Sequence, residues 1–358
     1  MSTVRIDGRG AEARPGETVL DVAARLGIEI PTLCHDERLA PAGCCRMCLV
    51  EVSGQRRLQP ACTFPAADGL EVTTASERVA RHRRGLLELY LADRVAPDPG
   101  EPFLPDDQVV ALAAAHGASG ALPPTRSPRA GREDPNPYLQ FDPGQCILCA
   151  RCVRYCDEVE AVNAITLAGR GAATTISTAA GKGLLDTTCE LCGGCIDTCP
   201  TGALREKKPA ALDLGGAAAI ARSVRSTCNF CGVGCQVDLQ VAETPAGARV
   251  VKVSSPPPGE TVNDGNLCVK GRFAYDFIHH PDRLTTPLVR EDGALREATW
   301  DEALGRAAKG LLGVKQRYGP SALGFVSSSR CTGEENYLVQ KLARAAFGTN
   351  NCHQCAAT

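Results

Sequence analysis

Aromatic side chains are scarce in this sequence: one Trp, six Tyr and eight Phe make up 4% of 358 residues, against 44% hydrophobic residues in all. A core can form, but it has to lean on Ala, Val and Leu. No run of about 18 apolar residues occurs, so no segment reads as a membrane-spanning helix. Charge of one sign is lacking too: 39 Lys and Arg face 41 Asp and Glu, which gives no case for nucleic acid. The one local basic run, Arg78, Arg81, His82, Arg83 and Arg84, reads as a solvated helix face. A strand followed by Gly-x-Gly-x-x-Gly is absent, so the chain shows no nucleotide site of its own. The opening MSTVRIDGRG has no apolar signal segment, and the expected compartment is the reducing cytoplasm.

Cysteine, by contrast, is abundant, at 20 residues. In a short secreted chain that would suggest a disulfide scaffold; in a chain of this length, expected to hold two or more domains, it suggests metal ligands. Two runs read Cys-x2-Cys-x2-Cys-x3-Cys: Cys146, Cys149, Cys152 and Cys156, then Cys189, Cys192, Cys195 and Cys199 followed by Pro200. This is the bacterial-ferredoxin spacing for two [4Fe–4S] clusters, in which the fourth cysteine of each run ligates the other cluster. The expected sets are therefore Cys146, Cys149, Cys152 and Cys199 for one cluster, and Cys189, Cys192, Cys195 and Cys156 for the other. A structural zinc site would take two separated cysteine pairs instead. Asp157, not Pro, follows the first run, its only departure from the pattern.

Residues 1 to about 75 read as a β-rich domain with one helix, Glu17 to Leu26, and strands at Val4 to Ile6, Cys48 to Val52 and Leu70 to Thr73. They carry Cys34, Cys45, Cys48 and Cys62, spaced Cys-x10-Cys-x2-Cys-x13-Cys. The segment Gly43-Cys44-Cys45-Arg46-Met47-Cys48-Leu49-Val50-Glu51 resembles the [2Fe–2S] domain of NADH:quinone oxidoreductase, NAD-linked formate dehydrogenases and hydrogenase diaphorase subunits. Cys44 could compete as a ligand, but Cys45 fits both spacings, and Cys44 is read as a spare thiol. Thr74-Ala75-Ser76-Glu77 reads as a capping box opening a helix through Leu86, Leu87 and Tyr90. In these families a cluster motif of one histidine and three cysteines, His-x3-Cys-x2-Cys-x5-Cys, follows. Here the stretch is Leu91 to Asp98, with no cysteine between Cys62 and Cys146, so that cluster is expected to be absent. A short helix, Asp106 to His116, precedes a Pro-, Gly- and Ser-rich linker over 117–137. The insert between the two cysteine runs holds strand-like Ile165 to Leu167 and Thr174 to Ser177, and Pro209 to Ala221 is an Ala-rich connector.

A fourth set, Cys228, Cys231, Cys235 and Cys268, is spaced Cys-x2-Cys-x3-Cys-x32-Cys, with strand candidates Gln236 to Val241 and Arg249 to Val253 between its members. Through Gly265 to Phe273 it resembles the N-terminal [4Fe–4S] domain of molybdopterin oxidoreductases, and His279 to Leu288 looks like formate dehydrogenase catalytic subunits. The resemblance places Lys270 between cubane and pterin, on the electron path. From Thr299 capped helices alternate with an apolar strand, Ala322 to Val326, as at the start of an α/β domain. Cys331 reads as a buried small hydrophobe, and Cys352-x2-Cys355 as a poor match to half a zinc site. Aligned with formate dehydrogenases, Thr358 falls one residue before the cysteine or selenocysteine that ligates molybdenum or tungsten. The expectation is a stop at a selenocysteine codon, with the metal-ligating nucleophile beyond this chain; a genuine stop or an arbitrary fragment is the alternative.

The expected fold class is α+β and multi-domain. It comprises a β-grasp [2Fe–2S] domain over 1–78, a helical segment and linker over 79–136 and a two-cluster ferredoxin domain over 137–208. A linker over 209–224, a [4Fe–4S] domain over 225–290 and the start of a molybdopterin-binding α/β domain over 291–358 follow. Cofactors implied by the resemblance are one [2Fe–2S] and three [4Fe–4S] clusters, with a molybdenum or tungsten bis-pterin guanine dinucleotide in the full-length enzyme. Its implied role is the electron-transfer half of a formate dehydrogenase, with an NAD-linked diaphorase or other acceptor subunit as partner. An NADH:quinone oxidoreductase large-arm protein and a non-catalytic iron–sulfur carrier are the alternatives.

Overall fold

The computed structural model describes residues 2–95, 107–124, 129, 133–207, 220–245 and 247–355. Part of the 117–137 linker, most of the 209–221 connector, part of the Leu91 to Asp98 stretch and the terminal 356–358 lie outside the described residues. The chain divides into two compact units, residues 1–219 and 220–358.

The first unit opens on a five-stranded sheet. Strands β1 (Ser2–Ile6) and β2 (Arg9–Ala13) form a hairpin, and β3 (Leu49–Val52), β4 (Gln59–Pro60) and β5 (Glu71–Thr73) complete the order β2-β1-β5-β3-β4. Asp7 and Gly8, at φ 47° and 79°, make the two-residue turn that matches strand twist. The β1–β5 pair is parallel, so the chain must cross over between them; α1 (Val19–Arg25) lies on that crossover. Thr18 caps α1 in a reciprocal capping box with Asp21. Val4 and Ile6 from β1, Val19 and Val22 from α1, and Val50 and Val72 from the sheet are the buried core. This is the mixed sheet with one helix that the sequence predicts.

The capping box read at Thr74 does not form. Thr74 gives its amide and hydroxyl to the Asp7 carboxylate instead, and Ser76 caps the helix by accepting from Val79 N. That helix, α2 (Glu77–Asp93), buries Val79, Arg83 and Leu87, four residues apart on one face. The next, α3 (Gln108–His116), is capped by Asp107 and ends at Gly117 with φ 67°. Ion pairs hold the chain around the end of α2 and the start of α3. Arg94 pairs with Asp107, and Arg129 joins Asp93 at 3.2 Å to the Cys146 carbonyl at 2.8 Å.

A ferredoxin-like module follows, tied at its ends by antiparallel β6 (Leu139–Phe141) and β9 (Leu204–Glu206). Short helices α4 (Arg151–Arg154, continued by a π-type turn to Val159) and α5 (Gly194–Asp197) follow the two cysteine arcs. The insert between them carries the small hairpin of β7 (Thr166–Ala168) and β8 (Thr175–Ser177).

The second unit begins with antiparallel β10 (Ile220–Thr227), β11 (Gln236–Thr244) and β12 (Gly247–Ser254). Strand β10 starts inside the segment read as linker. Every residue of it is exposed, so it carries no alternating apolar signal. Helix α6 (Val269–Phe273) packs against β12. A hairpin of β13 (Leu288–Glu291) and β14 (Ala294–Glu297) turns at Asp292-Gly293, φ 49° and 84°. Helix α7 (Trp300–Tyr318), strand β15 (Phe325–Ser328), helix α8 (Gly333–Lys341) and strand β16 (Cys352–Cys355) end the unit, with β15 and β16 parallel. The cap of α7 is one-sided: Thr299 accepts from Glu302 N, but the Glu302 carboxylate goes to Arg296 and Arg306 instead of closing a capping box. Among the described residues no helix is long and apolar enough to cross a membrane.

Candidate iron–sulfur sites

In the sheet domain the loop after α1 brings Cys34 beside the Cys45–Cys48 turn, and Cys62 follows β4. All four are at most 3% exposed. The Cys45 amide donates to Cys34 Sγ at 3.5 Å, and Cys48 Sγ lies 3.4 Å from Cys62 Sγ. Hydrogen bonds from its Cys44 and Cys45 neighbours pull the Cys34 thiol far below its ordinary range. The bond from Cys62 brings Cys48 down to about 7, while Cys45 and Cys62 are pushed up as the proton-holding partners. Protons thus shared between crowded, buried sulfurs are what iron displaces when thiolates take a cluster. Cys44, expected to be spare, is the exposed member of the group. Its Sγ donates to the Cys149 carbonyl of the ferredoxin-like module at 3.5 Å.

The ferredoxin-like module repeats one backbone device. In the first run Leu148 and Ala150 have φ of 56° and 58°; in the second Leu191 and Gly193 have φ of 54° and 78°. Each pair of left-handed residues flanks the second cysteine of its run and curls the loop so that amides face sulfur. Leu148 N donates to Cys146 Sγ and Leu191 N to Cys189 Sγ, both at 3.4 Å. The fourth cysteines receive matching bonds, Ala164 N to Cys156 Sγ at 3.3 Å and Leu204 N to Cys199 Sγ at 3.5 Å. Two cavities result. One of about 200 Å³ is lined by Cys156, Cys189, Cys192 and Cys195, with Tyr155 and Ile176. A smaller one of about 20 Å³ is lined by Cys146, Cys149, Cys152 and Cys199. In each, the fourth cysteine comes from the other run. Burial pushes the Cys149 thiol up to about 12 and Cys152 well above its ordinary range, a penalty that a cationic core would relieve.

In the second unit the turn joining β10 to β11 carries Cys228, Cys231 and Cys235, closed by Cys228 N to Cys235 O at 2.8 Å. Cys268 sits at the N-terminal end of α6. A methyl group on Gly271 would lie 3.7 Å from Cys228 Sγ and 4.0 Å from Cys268 Sγ, so the distant cysteine does reach the turn. Asn263 fixes that approach. It accepts from Gln236 N at 2.8 Å and donates to Gln236 O and Asn266 O, clamping the two loops together. Lys270 is exposed on α6, and its charge favours the Cys228 thiolate, against a larger opposing effect of burial. Cys331 is only half-buried, in the loop after β15, not in the core as expected. Cys352 and Cys355 begin and end β16.

Sequence reading does not find Asn263, nor the contacts that join the [2Fe–2S]-type loop to the ferredoxin-like module. There Arg154 hydrogen-bonds the carbonyls of Ala40 (2.6 Å) and Cys34, Glu158 accepts from Ala40 N at 2.6 Å, and Arg151 pairs with Asp36 at 3.3 Å. These partners are more than a hundred residues apart, and no local pattern announces them.

Among the described residues no three His, Cys, Asp or Glu side chains converge as ligands of a single metal ion, and no disulfide joins the cysteines. Thiolates of a mononuclear site meet about 2.3 Å from one ion. Sets spread around a cavity and bonded by amides suit a multi-atom iron–sulfur core instead.

Comparison with known proteins follows the same division. A 2Fe-2S iron-sulfur cluster binding domain matches residues 1–77, and the ferredoxin-like domain of NADH-quinone oxidoreductase subunit 3 matches 136–205. The molybdopterin oxidoreductase Fe4S4 domain matches 221–280, and the molybdopterin oxidoreductase domain itself matches 283–358. The chain belongs to the molybdopterin oxidoreductases that carry iron–sulfur domains. Within this family it is 38% identical, over 98% of its length and 40% of the relative's, to NADPH-Fe(3+) oxidoreductase subunit alpha of Geobacter sulfurreducens. It is 37% identical, over 98% of its length and 40% of the relative's, to a NADH-quinone oxidoreductase subunit of Rhizobium meliloti. A Bacillus subtilis protein with a provisional formate dehydrogenase name is 30% identical over 99% of this chain and 39% of that protein. The chain thus spans about 40% of the length of these relatives. Among solved structures it resembles a chain of NAD+-reducing [NiFe]-hydrogenase, with a TM-score of 0.52 and 36% identity over 60% of this chain and 91% of that one. The iron–sulfur domains of this family thus occupy most of residues 1–280.

Proposed function

We propose that this chain relays single electrons between a pyridine-nucleotide-linked partner subunit and a molybdopterin site. Cys34, Cys45, Cys48 and Cys62 would hold a [2Fe–2S] cluster. Cys146, Cys149, Cys152 and Cys199, then Cys189, Cys192, Cys195 and Cys156, and then Cys228, Cys231, Cys235 and Cys268 would each hold a [4Fe–4S] cluster. The observation that carries this reading is the pair of cavities in the ferredoxin-like module, each lined by three cysteines of one run and the fourth of the other. When bound, such clusters accept and release one electron at a time. The protein's own part is to exclude water, to aim amides at sulfur and to hold neighbouring sites at fixed spacing. Lys270, beside the Cys228 set, would place a positive charge on the path towards the pterin.

An NAD(P)-linked partner is favoured by the relatives: a NADPH-dependent iron reductase subunit, a NADH-quinone oxidoreductase subunit and an NAD+-reducing hydrogenase. Formate oxidation is the second reading, favoured by the segment His279 to Leu288, whose first residue is fixed by a bond from Val250 N to His279 Nε2 at 2.9 Å. Anaerobic reconstitution of the chain with iron and sulfide is expected to give about fourteen iron atoms per chain, counted as one [2Fe–2S] and three [4Fe–4S] centres. Electron paramagnetic resonance should show both cluster types; absence of the [2Fe–2S] signal would sink the assignment of the first domain. The intact protein, assayed with NADPH, NADH and formate against the same iron(III) and dye acceptors, then separates the two substrate readings.

A further inference from the structure

Cys44 belongs to none of the four cysteine sets, yet it is held in place like a working residue. Gly43 and Arg46, at φ 61° and 59°, turn the loop on either side of it. The turn sends Cys45 inwards to the [2Fe–2S]-type set and Cys44 outwards to the ferredoxin-like module. There its Sγ lies 3.5 Å from the carbonyl oxygen of Cys149, a residue 105 positions away in the first run. Around this junction Leu33, Cys34, Cys45, Ile147 and Cys149 pack in one apolar cluster, and Arg154 and Glu158 fix the two loops against each other.

The geometry points to Cys44 as the bridge by which an electron crosses between the [2Fe–2S] loop and the first [4Fe–4S] loop. Resting on the cluster assignment above, the path runs from Cys45 through the main chain to Cys44 Sγ, then across one S–H···O contact to the Cys149 carbonyl and its side chain. The step would be a pure one-electron exchange: a cluster held by Cys146, Cys149, Cys152 and Cys199 would lose one electron and one held by Cys34, Cys45, Cys48 and Cys62 would gain it. No bond to Cys44 breaks and its proton stays on sulfur. The competing route from Cys34 O through Arg154 traverses a whole arginine side chain and so many more bonds. Of the hydrogen-bonded routes described between the two cysteine sets, the one through Cys44 crosses the fewest bonds.

The test uses the reconstituted chain and its variants Cys44→Ala and Cys44→Ser. A flavin photoreductant delivers one electron per flash, and its redistribution between [4Fe–4S] and [2Fe–2S] signals is followed by freeze-quench paramagnetic resonance. Cys44→Ala is expected to keep both signals and the iron content but to slow redistribution several-fold. Cys44→Ser, which retains a donor, should recover most of the rate. An unchanged rate in Cys44→Ala with both signals intact would overturn the bridge while leaving the cluster assignment standing. Loss of the [2Fe–2S] signal in Cys44→Ala alone would make Cys44 a ligand, and would overturn the bridge as well. Absence of that signal from the wild-type chain would overturn the cluster assignment itself, and the bridge with it.

Discussion

Gly194 lies so close to the ring of Tyr155 that a methyl group on it would stand 2.0 Å from Cε1. The ring cannot swing aside cheaply. It is 1% exposed, its hydroxyl donates to Glu160 at 3.1 Å, and the Arg38 guanidinium stacks over it at 4.9 Å. Tyr155 thus wedges the second cysteine arc against a residue of the [2Fe–2S]-type loop. Gly194→Ala is expected to destabilise the first unit by about 1–3 kcal/mol, the usual cost of overpacking. Its melting temperature should fall by several degrees, and a Tyr155→Leu background should remove part of the loss, as a double-mutant cycle will show.

Asp36 sits half-buried between Arg38 at 3.0 Å and Arg151 at 3.3 Å. Burial raises its pKa, but the hydrogen bonds and charge of Arg38, with the charge of Arg151, outweigh that and hold it at about 2. Because the folded value lies below the unfolded one, near 3.9, the stabilisation is fully present above pH 4 to 5. It is lost as pH falls towards 2. Asp36→Asn should therefore cost roughly 2 kcal/mol at pH 7. The gap from wild type should close in denaturant titrations run below pH 4.

Crossed ligation, as proposed above, would group variants in an unusual way. Cys156→Ser is expected to lose the same [4Fe–4S] signal as Cys189→Ser, and Cys199→Ser the same signal as Cys152→Ser, although each pair spans both runs. If Cys156→Ser and Cys152→Ser instead lose one signal together, each run serves its own cluster and the cavity linings mislead.

Lys270 is exposed, so its replacement should leave folding intact. Removing a positive charge near the Cys228 set disfavours the more negative, reduced state of a cluster there. Lys270→Gln is expected to move that reduction potential in the negative direction, with the other potentials unmoved. Spectroelectrochemical titration of the reconstituted chain measures it.

The cysteine spacings are the most legible part of the chain, because ligand geometry imposes a short covalent period that survives without any long-range information. Elements with strong local signals are equally readable: α3 with its Asp107 cap and Gly117 stop, and α8 with the Thr332–Glu335 box. Strand β10 is not, because an exposed strand carries no alternation, and the β13–β14 hairpin escapes the sequence reading although Asp292-Gly293 is a strong turn signal. Thr74 shows the limit of local rules: its capping pattern is sound, but Asp7, 67 residues away, offers its hydroxyl and amide a better partner. The placement of Cys44 over Cys149, and of Arg154 on the Cys34 loop, is tertiary information that no window along the chain contains.

The repeated left-handed pairs bear on how this protein is made. Leu148, Ala150 and Leu191 hold side chains in a backbone region that costs an L-residue about 1–2 kcal/mol each. The sulfur-directed amides they aim gain little when only thiols are there to receive them. Iron loading is therefore expected to tighten these arcs, because thiolates accept such amides more strongly than thiols do. A newly synthesised chain that has not met its iron should have residues 146–156 and 189–199 cut by proteases faster than the loaded chain does.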